Sequence, residues 1–236
     1  MNKSWIANGF TAANALFGGL SIMMSISGEY HVAAICILFA MAADAFDGRV
    51  ARALGTAGPM GVELDSLSDD ISFGVAAGAL MYSYQLRELG ALGFIPCALL
   101  GAFCAFRLAR FNVKVTSVHG YFEGLPCPTV GVIIACYVLS GVKIWNWLAM
   151  VCVLVLAVLM VSEVHYRDNK GASADQLHLP AFLFCLGFFI LCTMIYWPSW
   201  AAALCAAYIM FGIVNTYLNR RKKLHRKLKR RVKEEF

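Results

Sequence analysis

The sequence predicts an all-α, polytopic membrane protein, a bundle of about eight transmembrane helices. Three observations predict it. Hydrophobic residues make up 60% of the 236 positions and charged residues only 14%, with a mean hydropathy of +0.68. Apolar stretches long enough to cross about 30 Å of hydrocarbon recur along the chain. Basic residues gather at alternate ends of these stretches. We therefore expect one membrane-embedded domain, residues 1–219, and a basic cytoplasmic tail, residues 220–236.

The predicted helices follow one another with short connections. We place them at about residues 6–27, 31–54, 61–82, 88–111, 129–141, 147–164, 180–196 and 198–219. In the first helix, Gly18 and Gly19 predict close packing against a neighbour. Asn14 is polar within that helix, and two interpretations stay open. It either makes a hydrogen bond between helices or contacts a bound nucleotide or metal shell.

The distribution of basic residues predicts the orientation. Eight spans place both termini on one side, and all but two of the 20 Lys and Arg residues fall on that side. The exceptions are Arg87 and Lys143. Because cytoplasmic loops carry an excess of Lys and Arg, both termini are predicted to face the cytoplasm, with the protein in the cytoplasmic (inner) membrane.

The tail and the cysteines need no special chemistry. The tail reads RRKKLHRKLKRRVKEEF, which fits either a solvated segment that fixes topology or an amphipathic helix on anionic lipid. A basic run beside a membrane is better explained by phospholipid, so no nucleic-acid partner is expected. The nine cysteines include no C-x-x-C pair, which favours apolar packing over metal or redox roles.

Four aspartates lie on predicted helices two and three, in the stretch DAFDGRVARALGTAGPMGVELDSLSD, residues 44–69. They are Asp44, Asp47, Asp65 and Asp69. Each acid at bilayer depth costs roughly 2.5–3.5 kcal/mol, so such residues are rare and usually functional. Only Arg49 and Arg52 are close in sequence to balance them. Divalent cations are therefore the expected partners, and oxygen ligands favour Mg²⁺ or Mn²⁺, with Ca²⁺ as an alternative.

Helical spacing places these acids together. Asp44 and Asp47 share one face of helix two with Gly48 and Ala51, and Asp65 and Asp69 are one turn apart on helix three. The glycine- and proline-containing segment 54–60 predicts a turn between two antiparallel helices. Glu63 and Asp70 should point away from this face. Small residues beside the acids leave room for a bulky ligand, and Arg52 is placed to meet a phosphate, which together indicate phosphoryl transfer.

The same stretch resembles the signature of the CDP-alcohol phosphotransferase family, D-x2-D-G-x2-A-R-x8-G-x3-D-x3-D. Every fixed position is met, ending with Gly61, Asp65 and Asp69. The resemblance implies a six-helix core and two divalent ions held by the four aspartates. It implies that Asp69 is the catalytic general base. It also implies a CDP-binding set, which consists of Gly48, Ala51, Arg52, Gly61 and Asn14.

A second stretch, RLARFNVKVTSVHGYFEGLPCP at residues 107–128, resembles the phosphatidylserine synthases of that family. The resemblance implies transfer from CDP-diacylglycerol, or an archaeal CDP-lipid, to L-serine with release of CMP, in a homodimer. Arg107, Arg110 and Asn112 would bind serine. The two arginines could instead only snorkel to the interface. Glu123 could pair with an arginine or contact the acceptor amino group, and His119 reads as a loop residue.

Two alternative functions stay open. The acceptor could be another alcohol, such as glycerol 3-phosphate, inositol phosphate or choline, although a phosphorylated acceptor should require more clustered basic residues than this loop shows. Alternatively, the acids could form the permeation site of a cation or lipid transporter.

Overall fold

A computed structural model describes residues 4–56, 58–114, 121–162 and 165–167. The predicted helices at 180–196 and 198–219, the basic tail and His119 lie outside the described residues. Within them, the helices are α1 (Ser4–Ile26), α2 (Tyr30–Leu54), α3 (Pro59–Asp69), a π-helix (Asp70–Val75), α4 (Ala76–Tyr84), a 3₁₀ turn (Leu86–Leu89), α5 (Ala91–Lys114), α6 (Cys127–Leu139) and α7 (Asn146–Val161). The structure has helices at the first six predicted positions, and the predicted third helix is interrupted by the π-helix.

Helix α1 buries a face made of small and polar residues. Its buried positions recur every three or four residues, at Ala7, Thr11, Asn14, Gly18, Ser21 and Ser25. A Cβ added at Gly18 would collide with Ser72 Oγ and lie 2.8 Å from Ser72 Cα. Close packing at Gly18 is therefore confirmed. The same prediction for Gly19 is wrong for the described residues, because a Cβ there would meet none of their atoms within 4 Å.

The apolar core lies deeper in the bundle, where the π-helix and α4 pack among α2, α5 and α6. Ile37, Phe73, Leu80, Leu100 and Val130 are all fully buried there. Large apolar side chains also point outward on every long helix. In the part of the chain that the structure describes, three helical segments are long and apolar enough to cross a membrane, namely Ala7–Ile26, Tyr30–Leu54 and Ala91–Val113.

A small antiparallel strand pair connects the segment before α6 to the end of α7. Strand β1 (Tyr121–Glu123) pairs with β2 (His165–Arg167). The next turn has Gly124 at φ +80°, and a Cβ there would collide with the Met160 carbonyl oxygen. Leu125 N donates to the Leu159 carbonyl at 3.0 Å. These contacts hold the beginning of α6 against the end of α7.

A network of polar groups connects the α4–α5 junction to the α6–α7 turn. Gln85 Nε2 donates to the Ile144 carbonyl at 2.5 Å and to Asn146 Oδ1 at 2.9 Å. Tyr137 Oη donates to Gln85 Oε1 at 2.5 Å and accepts from Ile144 N at 3.1 Å. Asn146 Nδ2 donates to Glu88 Oε2 at 2.6 Å. We call this set the junction network.

Candidate active site

Three of the four predicted aspartates converge. One carboxylate oxygen from each of Asp44, Asp47 and Asp65 lies within 4.8 Å of the other two. Helix α2 supplies the first two residues and α3 supplies the third, after a short turn. Gly55 ends α2 in the left-handed conformation at φ +64°, and Pro59 begins α3, where its missing N–H has no cost. The turn predicted at residues 54–60 therefore brings the acids of the two helices together.

Asp69 lies beside this cluster and is almost completely buried. Its carboxylate interacts electrostatically with Asp44 and Asp65. Asn14 Nδ2 donates a hydrogen bond to Asp69 Oδ1 at 3.0 Å, and Ser72 Oγ donates to the Asn14 backbone carbonyl at 2.9 Å. Of the two interpretations of Asn14, the structure therefore shows the hydrogen bond between helices, and the partner is the proposed base.

Thr11 is a member of the site that the sequence reasoning missed. Its buried side chain lies within hydrogen-bonding range of the Asp47 carboxylate, and its hydroxyl also donates to the Ala7 carbonyl at 3.2 Å. Helix α1 packs on both α2 and α3 and so forms a third wall. The signal was present, because Thr11 and Asn14 share the small, polar face of α1.

The cluster has the properties of a divalent-cation site. Asp47 Oδ2 and Asp65 Oδ1 are buried, and neither has a hydrogen-bond partner among the described residues. Buried carboxylate oxygens without partners are costly unless a cation binds them. Several carboxylate oxygens in close range are the donor set of Mg²⁺, Mn²⁺ or Ca²⁺. The residues therefore fit the expected metal.

The predicted CDP-binding residues line the same region. Gly48 lies beneath Arg52, because a Cβ added at Gly48 would be 3.4 Å from Arg52 Nη1. Arg52 is exposed and interacts electrostatically with Asp47. Ala51 is half-buried. Gly61 faces α1, and a Cβ there would be 3.9 Å from Asn8 Oδ1. A guanidinium group is therefore held next to the acids.

The three predicted serine-binding residues face three different neighbours. Arg107 is buried, with Nη1 3.6 Å from Cys127 Sγ, so interface snorkelling does not describe it. Arg110 Nη1 donates to the Val161 carbonyl at 3.0 Å, at the end of α7. Asn112 Nδ2 donates to Ser66 Oγ at 3.0 Å on α3. The hydrogen bonds described for these three side chains go to α6, α7 and α3, and their common role in binding serine stays a prediction.

The two acids expected to point away from the cluster do so. Asn112 Nδ2 lies 3.5 Å from Glu63 Oε1 at the exposed surface of α3. Asp70 points toward α5, since a Cβ added at Gly74 would lie 2.7 Å from Asp70 Oδ1 and 2.9 Å from Cys104 Cβ. Among the described residues, the cluster therefore consists of predicted aspartates alone.

The family model described as CDP-alcohol phosphatidyltransferase matches residues 4–159, which include the whole cluster. The chain belongs to this family. The CDP-alcohol phosphatidyltransferases generally use divalent metals, and the aspartate cluster of this chain could hold such an ion. Membership, with the three membrane-capable helices, makes this an integral membrane protein.

Several similar proteins within the family have names that give an acceptor. The chain is 35% identical over 170 residues to a CDP-diacylglycerol–serine O-phosphatidyltransferase of Helicobacter pylori, which covers 69% of this chain and 72% of the relative. It is 38% identical over 165 residues to an archaetidylserine synthase of Methanothermobacter thermautotrophicus, covering 68% and 69%. A Methanocaldococcus jannaschii CDP-diacylglycerol–serine O-phosphatidyltransferase is 31% identical over 211 residues, covering 89% and 92%.

Proposed function

We propose that this protein is an integral-membrane phosphatidyltransferase that makes phosphatidylserine, or its archaeal analogue, and CMP from a CDP-activated lipid and L-serine. The observation that supports it is the convergence of Asp44, Asp47 and Asp65 beside the buried Asp69, in a chain of the CDP-alcohol phosphatidyltransferase family. The names of the relatives support serine as the acceptor.

In the proposed reaction, the serine hydroxyl oxygen bonds to the lipid-bearing phosphorus, and the bond from that phosphorus to the CMP oxygen breaks. Asp44, Asp47, Asp65 and Asp69 would hold two divalent ions, with Mg²⁺ or Mn²⁺ preferred, which would neutralise negative charge on the diphosphate. Asp69 takes the hydroxyl proton, and CMP leaves with the bonding electrons.

Other side chains of the protein orient the base and bind the CDP group and serine. Asn14 holds Oδ1 of Asp69, which restrains the orientation of the carboxylate. Arg52 lies over Gly48 at the exposed edge of the cluster and binds a phosphate of the CDP group, while Ala51 and Gly61 leave space for that group. Arg107 contributes a buried positive charge for the serine carboxylate.

The membrane arrangement is part of the proposal. The helix from α3 through α4 forms one span of a six-helix core, and residues 180–219 add two spans before the basic tail. Asp44 and Asp65 lie toward the cytoplasmic side of the inner membrane, where serine and CMP exchange with the cytosol. Lipid tails remain in hydrocarbon, and two copies of the chain form a homodimer.

An acceptor panel tests the proposed function. Purified protein in mixed micelles is given CDP-diacylglycerol, Mg²⁺ or Mn²⁺ and one of L-serine, glycerol 3-phosphate, inositol phosphate or choline. We expect CMP release and a new lipid with L-serine only. Lipid formation with a different acceptor and none with serine would overturn the serine assignment. Absence of CMP release with every acceptor would favour the transporter alternative.

The base assignment has its own test. Asp69→Asn should abolish turnover while the CDP-lipid still binds, because the amide cannot take the hydroxyl proton. Binding is measured by equilibrium dialysis of labelled CDP-diacylglycerol in micelles. Wild-type turnover in this variant would remove Asp69 as the base.

A further inference from the structure

A second polar cluster lies behind Asp69, between the π-helix, α5 and α6. Asp70 is the first residue of the π-helix, Cys104 and Arg107 are one turn apart on α5, and Cys127 is the first residue of α6. The Cys127 sulfur interacts electrostatically with both Arg107 and Asp70, and the sulfur of Cys104 interacts with both Asp69 and Asp70. Asp70 therefore lies near both thiols and Arg107 lies against Cys127, next to the proposed catalytic carboxylate.

The charged groups of this cluster are only partly satisfied. Arg107 is 6% exposed, its Nε has no hydrogen-bond partner among the described residues, and its Nη1 has only a 3.6 Å contact to a thiol sulfur. Asp70 Oδ1 is buried and has no hydrogen-bond partner within the same residues. Buried ionic groups in this state are unfavourable unless a ligand completes them. A complementary ligand would need a cation for Asp70 and an anion for Arg107.

The local backbone conformation places the Asp70 carboxylate at this position. A π-helix is wider than an α-helix and is frequently found at functional sites. It begins at Asp70, directly after Asp69. Any side chain at Gly74 would meet Asp70 Oδ1 at 2.7 Å and Cys104 Cβ at 2.9 Å. The glycine therefore leaves the Asp70 carboxylate room to approach α5.

We propose that Asp70 and Arg107 form a subsite for the zwitterionic end of the acceptor, with Asp70 binding the ammonium group and Arg107 binding the carboxylate. This inference rests on the proposed function and deepens it, because it explains the acceptor class. An α-amino acid carries both charges on one carbon, and its side-chain hydroxyl would then reach the adjacent Asp69. Phosphorylated acceptors would be repelled by Asp70, and choline would leave Arg107 without a partner.

The first test uses the wild-type protein and needs no variant. L-Alanine keeps the zwitterion but lacks the hydroxyl, and N-acetyl-L-alanine keeps only the carboxylate. We expect L-alanine to inhibit competitively against L-serine and N-acetyl-L-alanine to inhibit at least about tenfold more weakly, the effect of losing one charge-assisted contact. Equal inhibition by the two compounds would overturn the proposal.

The second test uses Asp70→Asn and Arg107→Gln, with the exposed Glu29→Gln on the loop before α2 as the control neutralisation. We expect Asp70→Asn to raise the KM for L-serine on the order of tenfold with the KM for CDP-diacylglycerol unchanged. Glu29→Gln should match the wild type. Serinamide has the ammonium group but no carboxylate. It should inhibit the Arg107→Gln variant and the wild type equally strongly, and it should inhibit the Asp70→Asn variant more weakly.

This pattern separates ligand recognition from a structural role. A merely structural Asp70 would lower kcat or stability without distinguishing serinamide from serine. An unchanged serine KM in Asp70→Asn would overturn the subsite while leaving phosphatidylserine synthesis intact. If the wild type transferred no lipid to serine at all, both the proposed function and the subsite would fall.

Discussion

The two ends of the bundle differ in how completely their polar side chains are hydrogen-bonded. In the junction network, Gln85, Tyr137, Ile144, Asn146 and Glu88 satisfy one another through hydrogen bonds of 2.5 to 3.1 Å. Around the aspartates, several buried polar atoms have no hydrogen-bond partner among the described residues. They include Asn14 Oδ1, Asp47 Oδ2, Asp65 Oδ1, Asp70 Oδ1 and Arg107 Nε.

This difference distinguishes residues that stabilise the fold from residues that bind ions and substrate. Polar groups that have made all their hydrogen bonds stabilise a fold and have no free donor or acceptor for a ligand. Groups that are buried and incompletely bonded raise the free energy of the empty site, and they gain partners only when ions and substrate arrive. We therefore expect substitutions in the junction network to change stability and substitutions around the aspartates to change chemistry.

The largest expected effect is at Asp65. Asp65→Asn should lower turnover by on the order of 10³-fold or more, because it removes one of the carboxylates that would hold the divalent ions, and those ions would neutralise the diphosphate. Mg²⁺ should raise the Tm of the wild type and not that of the variant, because the ion stabilises only the state that binds it. Activity and thermal unfolding with EDTA or Mg²⁺ check both. Wild-type turnover, or the same Mg²⁺ shift in the variant, would count against the metal site.

A smaller effect is expected at Asn14. Asn14→Ala should lower kcat about 10- to 100-fold, the usual range for a residue that orients a catalytic or metal-binding group, with little change in either KM. Asn14→Asp should not restore activity, because it places a second anion against Asp69. Ser21→Ala, on the same face of α1, is the matched control, and its buried hydroxyl has no hydrogen-bond partner in the described part of the chain. Equal losses in the two alanine variants would mean that only packing of α1 matters.

The junction network should respond in stability alone. Gln85→Leu removes the acceptor of the Tyr137 hydroxyl and the donor to the Ile144 carbonyl and Asn146 Oδ1, and it should lower the free energy of unfolding by about 1–3 kcal/mol. The KM for serine and for CDP-diacylglycerol should stay at wild-type values. Denaturant unfolding in micelles and steady-state kinetics measure the two quantities. A change in KM at unchanged stability would place this end of the bundle in the reaction after all.

The smallest effects are expected in a glycine pair on α1. Gly18→Ala should cost about 1–3 kcal/mol, because the added methyl group meets the backbone of the π-helix at Ser72. Gly19→Ala should be neutral or stabilising by up to about 1 kcal/mol, because the site is open and alanine favours the helix. Thermal unfolding of the two variants compares them directly. Equal destabilisation would show that a methyl group at position 18 does not meet Ser72 as the structure indicates.

Several features could be predicted from the sequence because they depend on local spacing. The face shared by Asp44 and Asp47 follows from helical periodicity, and the turn before α3 follows from Gly55 and Pro59. The site then required only that two consecutive helices fold back on each other. The beginning and end of each of the first six helices were also predicted to within a few residues, because the apolar stretches are long and clearly separated.

Other features depend on contacts between distant parts of the chain. Asn14 and Asp69 are 55 positions apart, and only the packing of α1 between α2 and α3 shows that they are partners. Helical spacing predicted that Asp70 points away from the face of Asp69, but the π-helix has no simple sequence signature, so the approach of Asp70 to α5 could not be predicted. The burial of Arg107 against Cys127 could not be predicted for the same reason, because Cys127 at the beginning of α6 comes next to α5 only after the chain has turned beyond β1.

The sequence by itself determined the membrane helices and the acids that face one another, because periodicity and turn residues act over a few positions. The tertiary structure decided which polar groups satisfy each other and which remain buried without partners. That distinction depends on how α1, the π-helix, α5 and α6 pack, and hydrogen bonds between distant helices exist only after that packing has formed.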